Sequence, residues 1–172
     1  MILPLKEEEW ENTALILSQV KLFSGISNNK DALYAIAQTT GFKSYEEGQC
    51  ILEEGQKGET LFILIEGQVS IYKKTLDGDN YKVAILSSKN YPVFGETALF
   101  ERETRSASVC CDTKAQCLTL SKRNFHAFAQ ENPQWALPIY ENICKDLIHR
   151  VRGLNHDLSL LHRALAREIK GQ

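Results

Sequence analysis

At 172 residues, 43% apolar and 24% charged, the sequence has the size and make-up of one ordinary globular domain with an appendage. Its formal net charge of −2 argues against a chain built to coat nucleic acid or an anionic membrane. No apolar run approaches the ~20 residues that span a bilayer, and Lys6-Glu7-Glu8-Glu9 interrupts any leader-like start, so a cytoplasmic protein without membrane attachment is expected.

Charge is uneven: residues 1–60 carry 10 acids against 5 bases, and residues 145–172 carry 6 bases against 3 acids. A solvated helix face accounts for that mildly basic tail without a polyanionic partner. The cysteines, Cys50, Cys110, Cys111, Cys117 and Cys144, fall in no metal-ligand spacing and read as reduced, buried thiols. The histidines form no ligand pattern either, so no metal or cofactor is expected.

Glu7 to Val20 predicts a helix, apolar at Trp10, Ala14 and Leu17, with acids in the first turn where the helix dipole favours them. Leu22-Phe23-Ser24-Gly25-Ile26 breaks the run. Ser27 or Asn28 then caps a second helix through Ala37. Between Gly41 and Gly95 lie seven of the ten glycines, punctuating short β-like runs. These are Phe42–Tyr45, Cys50–Leu52, Thr60–Ile65 (apolar enough to be buried on both faces), Val69 with Ile71, and Tyr81 to Ile85 after an Asp77-Gly78-Asp79-Asn80 hairpin signal. Ala107–Cys111 and Ala115–Leu120 come next. About eight short strands at this spacing predict a jelly-roll-like sandwich with flanking helices, mainly β in an α+β class. Ser121 caps a helix that buries Phe125 and Phe128. A long helix then starts near Pro133–Leu137 and continues to the C-terminus. In it Leu147, Val151, Leu154, Leu158, Leu161 and Leu165 are separated by 4, 3, 4, 3 and 4 residues, a heptad seam. The expected organisation is a helical segment over 1–40, a β-roll over 41–132 and the long helix over 133–172. Gly153 marks a hinge or a close contact in that helix.

Residues 94–109 carry the chemistry. Gly95 lets backbone N–H groups approach a ligand, and the short apolar turn after it aims further donors at an anion. Arg105 can clamp a phosphate through two parallel hydrogen bonds. Glu96 is out of place beside a phosphate unless it reads a neighbouring hydroxyl, such as that of a sugar. Together they point to a sugar phosphate, most simply a nucleotide. Glu101, Arg102 and Glu103 read as a solvated loop tip.

The segment resembles the phosphate-binding cassette of cyclic nucleotide-binding domains, the fold of the bacterial catabolite activator and of kinase regulatory subunits. In that family a Gly-Glu pair and a later Arg-x-Ala triplet form the pocket. Here they are Gly95-Glu96 and Arg105-Ser106-Ala107, with Glu96 and Arg105 nine residues apart. The likeness runs from Leu22 to Leu165. It implies that Glu96 bonds the ribose 2′-hydroxyl and Arg105 the cyclic phosphate. Phe94, Gly95, Thr97 and Ala98 complete the cassette turn, Ser106 adds its hydroxyl and Ala107 its N–H. Ungapped counting places Arg150 and Val151 where the catabolite activator has its adenine-contacting threonine–serine pair. That departure makes Arg150 a candidate base or lid contact.

The resemblance implies a non-enzymatic cyclic nucleotide receptor, with cyclic AMP (cAMP) favoured over cyclic GMP (cGMP). It would dimerise through the C-terminal helix and signal to an unidentified effector protein. The sequence stops without the winged helix-turn-helix of transcription-factor relatives, so DNA is not the expected partner. A ligand-free dimerisation scaffold and a nucleic-acid binder using the basic tail are the alternatives.

Overall fold

The computed structural model describes residues 3–75, 77–100 and 104–170. The first helix, α1 (Glu7–Gln19), is closed at its start by Glu9, whose carboxylate accepts from the Lys6 N–H at 2.7 Å. That contact satisfies one of the donors a helix N-terminus leaves unpaired. A 3₁₀ turn, Lys21–Ile26, then buries Leu22, Phe23 and Ile26. Because this turn carries the chain through Ser27, the cap of α2 (Lys30–Ala37) falls on Asn29 and not on Ser27 or Asn28. The Asn29 side chain accepts from the Ala32 N–H at 3.0 Å.

Among the described residues, nine strands succeed one another through two antiparallel sheets, counting the two-residue β1 (Leu3–Pro4) that pairs with β2 (Gly41–Tyr45). The remainder are β3 (Cys50–Leu52), β4 (Thr60–Glu66), β5 (Gln68–Lys74), β6 (Asn80–Ser87), β7 (Val93–Phe94), β8 (Ser108–Cys111) and β9 (Ala115–Ser121). One sheet has the order β1-β2-β9-β4-β7 and the other β3-β8-β5-β6. The sandwich of about eight strands expected from the sequence is present, and the two-residue strands β1 and β7 are the ones that no expected run covered. Strand β4 shows why a continuous apolar run was needed. Leu61 and Ile63 face the helices while Phe62 and Leu64 face the other sheet, each of the four at most 6% exposed.

Two apolar cores result. Helices α1, α2, α3 (Lys122–Glu131) and the start of α4 (Pro133–Lys170) cover the five-stranded sheet, with Leu17, Phe23, Ile36, Phe125 and Ile139 in one cluster. Tyr45, Phe62, Val69, Phe94, Val109 and Cys117 fill the space between the sheets. Each buried Leu or Phe contributes about 2–3 kcal/mol through apolar burial. On β6 the alternation points the other way: Tyr81, Val83 and Ile85 face out from an edge strand.

Ser121 caps α3 as expected, accepting from the Asn124 N–H at 3.1 Å. The 38 residues of α4 make a rod about 57 Å long. Ala136, Ile139 and Ile143 bury its first turns, whereas Leu147, Val151, Leu154, Leu158, Leu161 and Leu165 are all 37–68% exposed. The heptad seam therefore projects beyond the body of the chain. Gly153 sits in unbroken helix with nothing near the place of a Cβ, so it makes no close contact within the described chain.

The cysteines depart from expectation. Cys50 and Cys110 are not reduced thiols: they stand directly opposite each other on β3 and β8 and are joined by a disulfide. Of the free thiols, Cys111 and Cys117 are buried and Cys144 is exposed. Spacing could not reveal the bridge, because its partners lie 60 residues apart and meet only through sheet register. Glu101, Arg102 and Glu103, expected as a solvated loop tip, lie outside the described residues.

Candidate functional site

Where β7 ends, Gly95 adopts φ +74° and starts a 3₁₀ turn, Glu96–Leu99. A side chain there would be strained by the positive φ and would also stand 2.7 Å from the Arg105 guanidinium and 3.2 Å from the Thr60 carbonyl. Gly58 lies against the same guanidinium, and a Cβ on it would come within 2.6 Å of Nη2. Two glycines thus form a slot in which the Arg105 head lies flat. Arg105 is 8% exposed, its Nη2 donating to the Thr60 carbonyl at 2.7 Å and its Nη1 to the Gly95 carbonyl at 3.3 Å. Burial lowers the guanidinium from its ordinary pKa, and the nearby Glu96 carboxylate pulls it back up.

Arg105 forms no ion pair among the described residues. A buried guanidinium held only by neutral carbonyls keeps donor capacity for an anion. Its neighbour Glu96, 9% exposed, accepts instead from Arg150 Nη1 on α4, so the helix reaches across to the cassette.

These groups line a cavity of about 260 Å³. Phe94, Gly95, Glu96, Thr97, Arg105, Ser106, Ala107 and Arg150 all reach it, which brings eight of the nine sequence-predicted site residues together. Ala98 is the exception: at 4% exposure it is packed beneath the turn and does not line the cavity. Sequence reasoning missed the apolar wall, Leu52, Ile71, Leu86, Val93 and Val109. It also missed Gly58, which it took for a turn-maker. Alternation on strands β5 and β8 places Ile71 and Val109 inward, but it does not place them at this end of the sandwich, and on β6 it points away from Leu86. The cavity thus joins a cationic floor and one carboxylate to an apolar side, the arrangement that suits an anionic sugar carrying a flat base.

A larger groove of about 970 Å³ runs between α1 and α2, lined by Glu7, Glu8, Glu11, Leu15, Lys30 and Tyr34 among others. It gathers three carboxylates and a single lysine, so size alone does not make it an anion site. No cluster of three or more His, Cys, Asp or Glu able to hold a metal occurs among the described residues. No described helix is long and apolar enough to cross a membrane.

The model of the cyclic nucleotide-binding domain matches residues 42–132, more than half of the chain. The chain belongs to the cyclic nucleotide-binding domain family. That family is regulatory and not catalytic. A CRP-like cAMP-activated global transcriptional regulator of Mycobacterium tuberculosis is 24% identical over 144 residues, 84% of this chain and 61% of that protein. Glutaminase 2 of Bradyrhizobium diazoefficiens is 34% identical over 131 residues, which make up 76% of this chain and 20% of that one. The solved catabolite activator protein of Thermus thermophilus superposes with a TM-score of 0.72 at 25% identity, over 82% of this chain and 62% of the other. The chain spans less than two thirds of each of these proteins.

Proposed function

We propose that this chain is a non-enzymatic cyclic nucleotide receptor, cAMP favoured over cGMP, that dimerises through α4 and signals to a protein partner. The observation that carries the reading is Arg105: a guanidinium slotted between two glycines on the floor of a 260 Å³ cavity, with Glu96 beside it. The cyclic phosphate takes the free Arg105 donors together with the Ser106 hydroxyl and backbone N–H groups of Gly95, Thr97, Ala98 and Ala107. Glu96 takes the ribose 2′-hydroxyl. The base lies along the apolar wall under Arg150, which acts as a lid. Relatives named for each nucleotide occur, a cAMP-activated regulator and a cGMP-dependent protein kinase, so the titration below decides the preference for cAMP.

Transmission depends on what the cassette touches. Phe100, at the end of the cassette turn, lies 5.8 Å from the Tyr140 ring of α4, and its carbonyl accepts from Lys122 Nζ on α3 at 2.5 Å. Glu96 meets Arg150 about two turns past Ile143, the last buried residue of α4. Ordering the cassette therefore biases how α4 leaves the body, and the exposed seam makes that bias readable by a second copy and by an effector. The first test is calorimetric titration of the full chain with cAMP and with cGMP. Binding at micromolar concentration or below, tighter for cAMP, is expected. Silence toward both nucleotides with an intact dimer would replace the receptor with a ligand-free scaffold.

A further inference from the structure

The Cys50–Cys110 bridge sits on the outer face of the four-stranded sheet, and the nucleotide pocket makes no direct use of it. Its strand β3 is three residues long, lies at the sheet edge, and pairs with β8 through a register that slips between Cys50 and Leu52. Besides the disulfide and the short ladder to β8, bonds that tie the strand's flanks to β8 include Gly48 N–H to the Cys111 carbonyl at 2.9 Å, Cys111 N–H to the Gln49 carbonyl at 2.8 Å, and Glu54 N–H to Ser108 Oγ at 2.9 Å.

The segment after β3 supports the cassette arginine. The Arg105 N–H donates to the Gln56 carbonyl at 2.8 Å, and the Gly55 N–H donates to the Arg105 carbonyl at 2.9 Å. Lys57 pairs with Thr104 in an isolated bridge, and Gly58 forms one side of the guanidinium slot. Leu52 at the end of β3 and Val109 beside Cys110 both line the cavity. The disulfide thus pins the strand whose continuation holds Arg105 in place.

Cys50 is exposed and Cys110 half-buried, so a thiolate from solution can reach the bridge, and exposed disulfides are the ones that exchange. Cys111 points to the opposite face of β8, is 4% exposed, and has its thiol pushed up by burial and by Asp112. Cys117 is fully buried and Cys144 lies on α4, which leaves Cys50 and Cys110 as a self-contained pair.

We propose that Cys50 and Cys110 are a reversible redox site that sets nucleotide affinity, tight when bridged and weak when reduced. For its affinity readout this rests on the receptor function. In the reductive direction a thiolate of a dithiol reductant attacks Cys50 Sγ and Cys110 leaves as a thiolate that takes a proton. The reductant's second thiol then closes its own disulfide and releases Cys50, which is protonated in turn. In the oxidative direction a hydroperoxide converts Cys50 to the sulfenic acid, releasing water or the corresponding alcohol. The Cys110 thiol then displaces hydroxide to re-form the bridge, and that hydroxide leaves as water with the thiol proton.

The full chain, oxidised with hydrogen peroxide or reduced with dithiothreitol, would be titrated with cAMP and followed by intact mass, alkylation and amide hydrogen exchange. The reduced form is expected to be heavier by two hydrogens and to alkylate at Cys50 and Cys110. It should bind cAMP about 5- to 10-fold more weakly, the low end of site-to-site couplings, with faster exchange at Gly55 and Arg105. Cys50→Ser should behave as the reduced protein in either buffer, while Cys144→Ser should still switch. Equal affinity and equal exchange in the two redox forms would overturn the proposal, as would alkylation of Cys50 after peroxide treatment. If neither form binds a nucleotide, the receptor reading fails, and the exchange at Gly55 and Arg105 alone decides the redox site: a difference supports it, identity refutes it.

Discussion

Arg105 loses most of its hydration in the fold and receives two backbone carbonyls in exchange, a poor return for a full positive charge. An incoming phosphate restores the balance through charge-assisted bonds worth about 1.5–3 kcal/mol each. Arg105→Ala should therefore weaken cAMP binding at least about a hundredfold, and unchanged calorimetric affinity would refute the pocket. Gly58→Ala separates the slot from the fold. Its Cβ would strike only the end of the Arg105 side chain, which can move, so thermal unfolding should barely change. Affinity should still fall by about 1–3 kcal/mol, because the displaced guanidinium no longer meets the phosphate. Loss of stability in step with affinity would show that Gly58 serves the sandwich and not the ligand. Burial also lifts the Cys117 thiol to about 12 from its ordinary 9.0. A raised acid holds its proton longer in the folded than in the unfolded state, so stability is complete below pH 9 and declines toward pH 12. Urea unfolding should show that decline, and Cys117→Ala should make it shallower. An unaltered slope would assign it to other groups.

Among the elements, α4 divides at Leu147 into a part that belongs to the body and a part that has no cover among the described residues. Spacing by 4 and 3 is the pattern of a parallel two-helix seam, and the proposed dimer uses these six apolar positions. Leu158→Asp combined with Leu161→Asp should yield a folded monomer in analytical ultracentrifugation, whereas a surviving dimer would place the interface elsewhere. This projecting seam was legible in the sequence because a helix reports its faces through local period alone. Strand β4 was legible for the same reason, its unbroken apolar run announcing burial on both faces. Features that depend on two distant segments were not. The Cys50–Cys110 bridge, the Gly58 wall and the Glu96–Arg150 pair each exist because sheet register or helix docking brings them together. Strand β6 shows a subtler limit: alternation of Tyr81, Val83 and Ile85 is real, but period two cannot say which face looks inward. Asn29 replaced the expected cap because a 3₁₀ turn, invisible as a period, absorbed Ser27.

For the whole molecule the question is how a ligand at one end of the sandwich is felt along a rod about 57 Å long. Ligand that binds only the folded state raises stability by about 2.7 kcal/mol at a hundred times Kd. For a chain of this size that corresponds to a Tm increase of about 5–11 °C. This gain measures binding, not transmission. Transmission needs a contact that differs between the two states, and Phe100 against Tyr140 is positioned to be one because it joins the cassette turn to the buried foot of α4. Phe100→Ala should keep the ligand-dependent rise in Tm, since it spares Arg105, Glu96 and the cavity lining. It should abolish the nucleotide-induced change in hydrogen exchange along residues 147–165. If that change survives, the signal travels through Glu96 and Arg150 alone, and Arg150→Ala becomes the variant that silences α4.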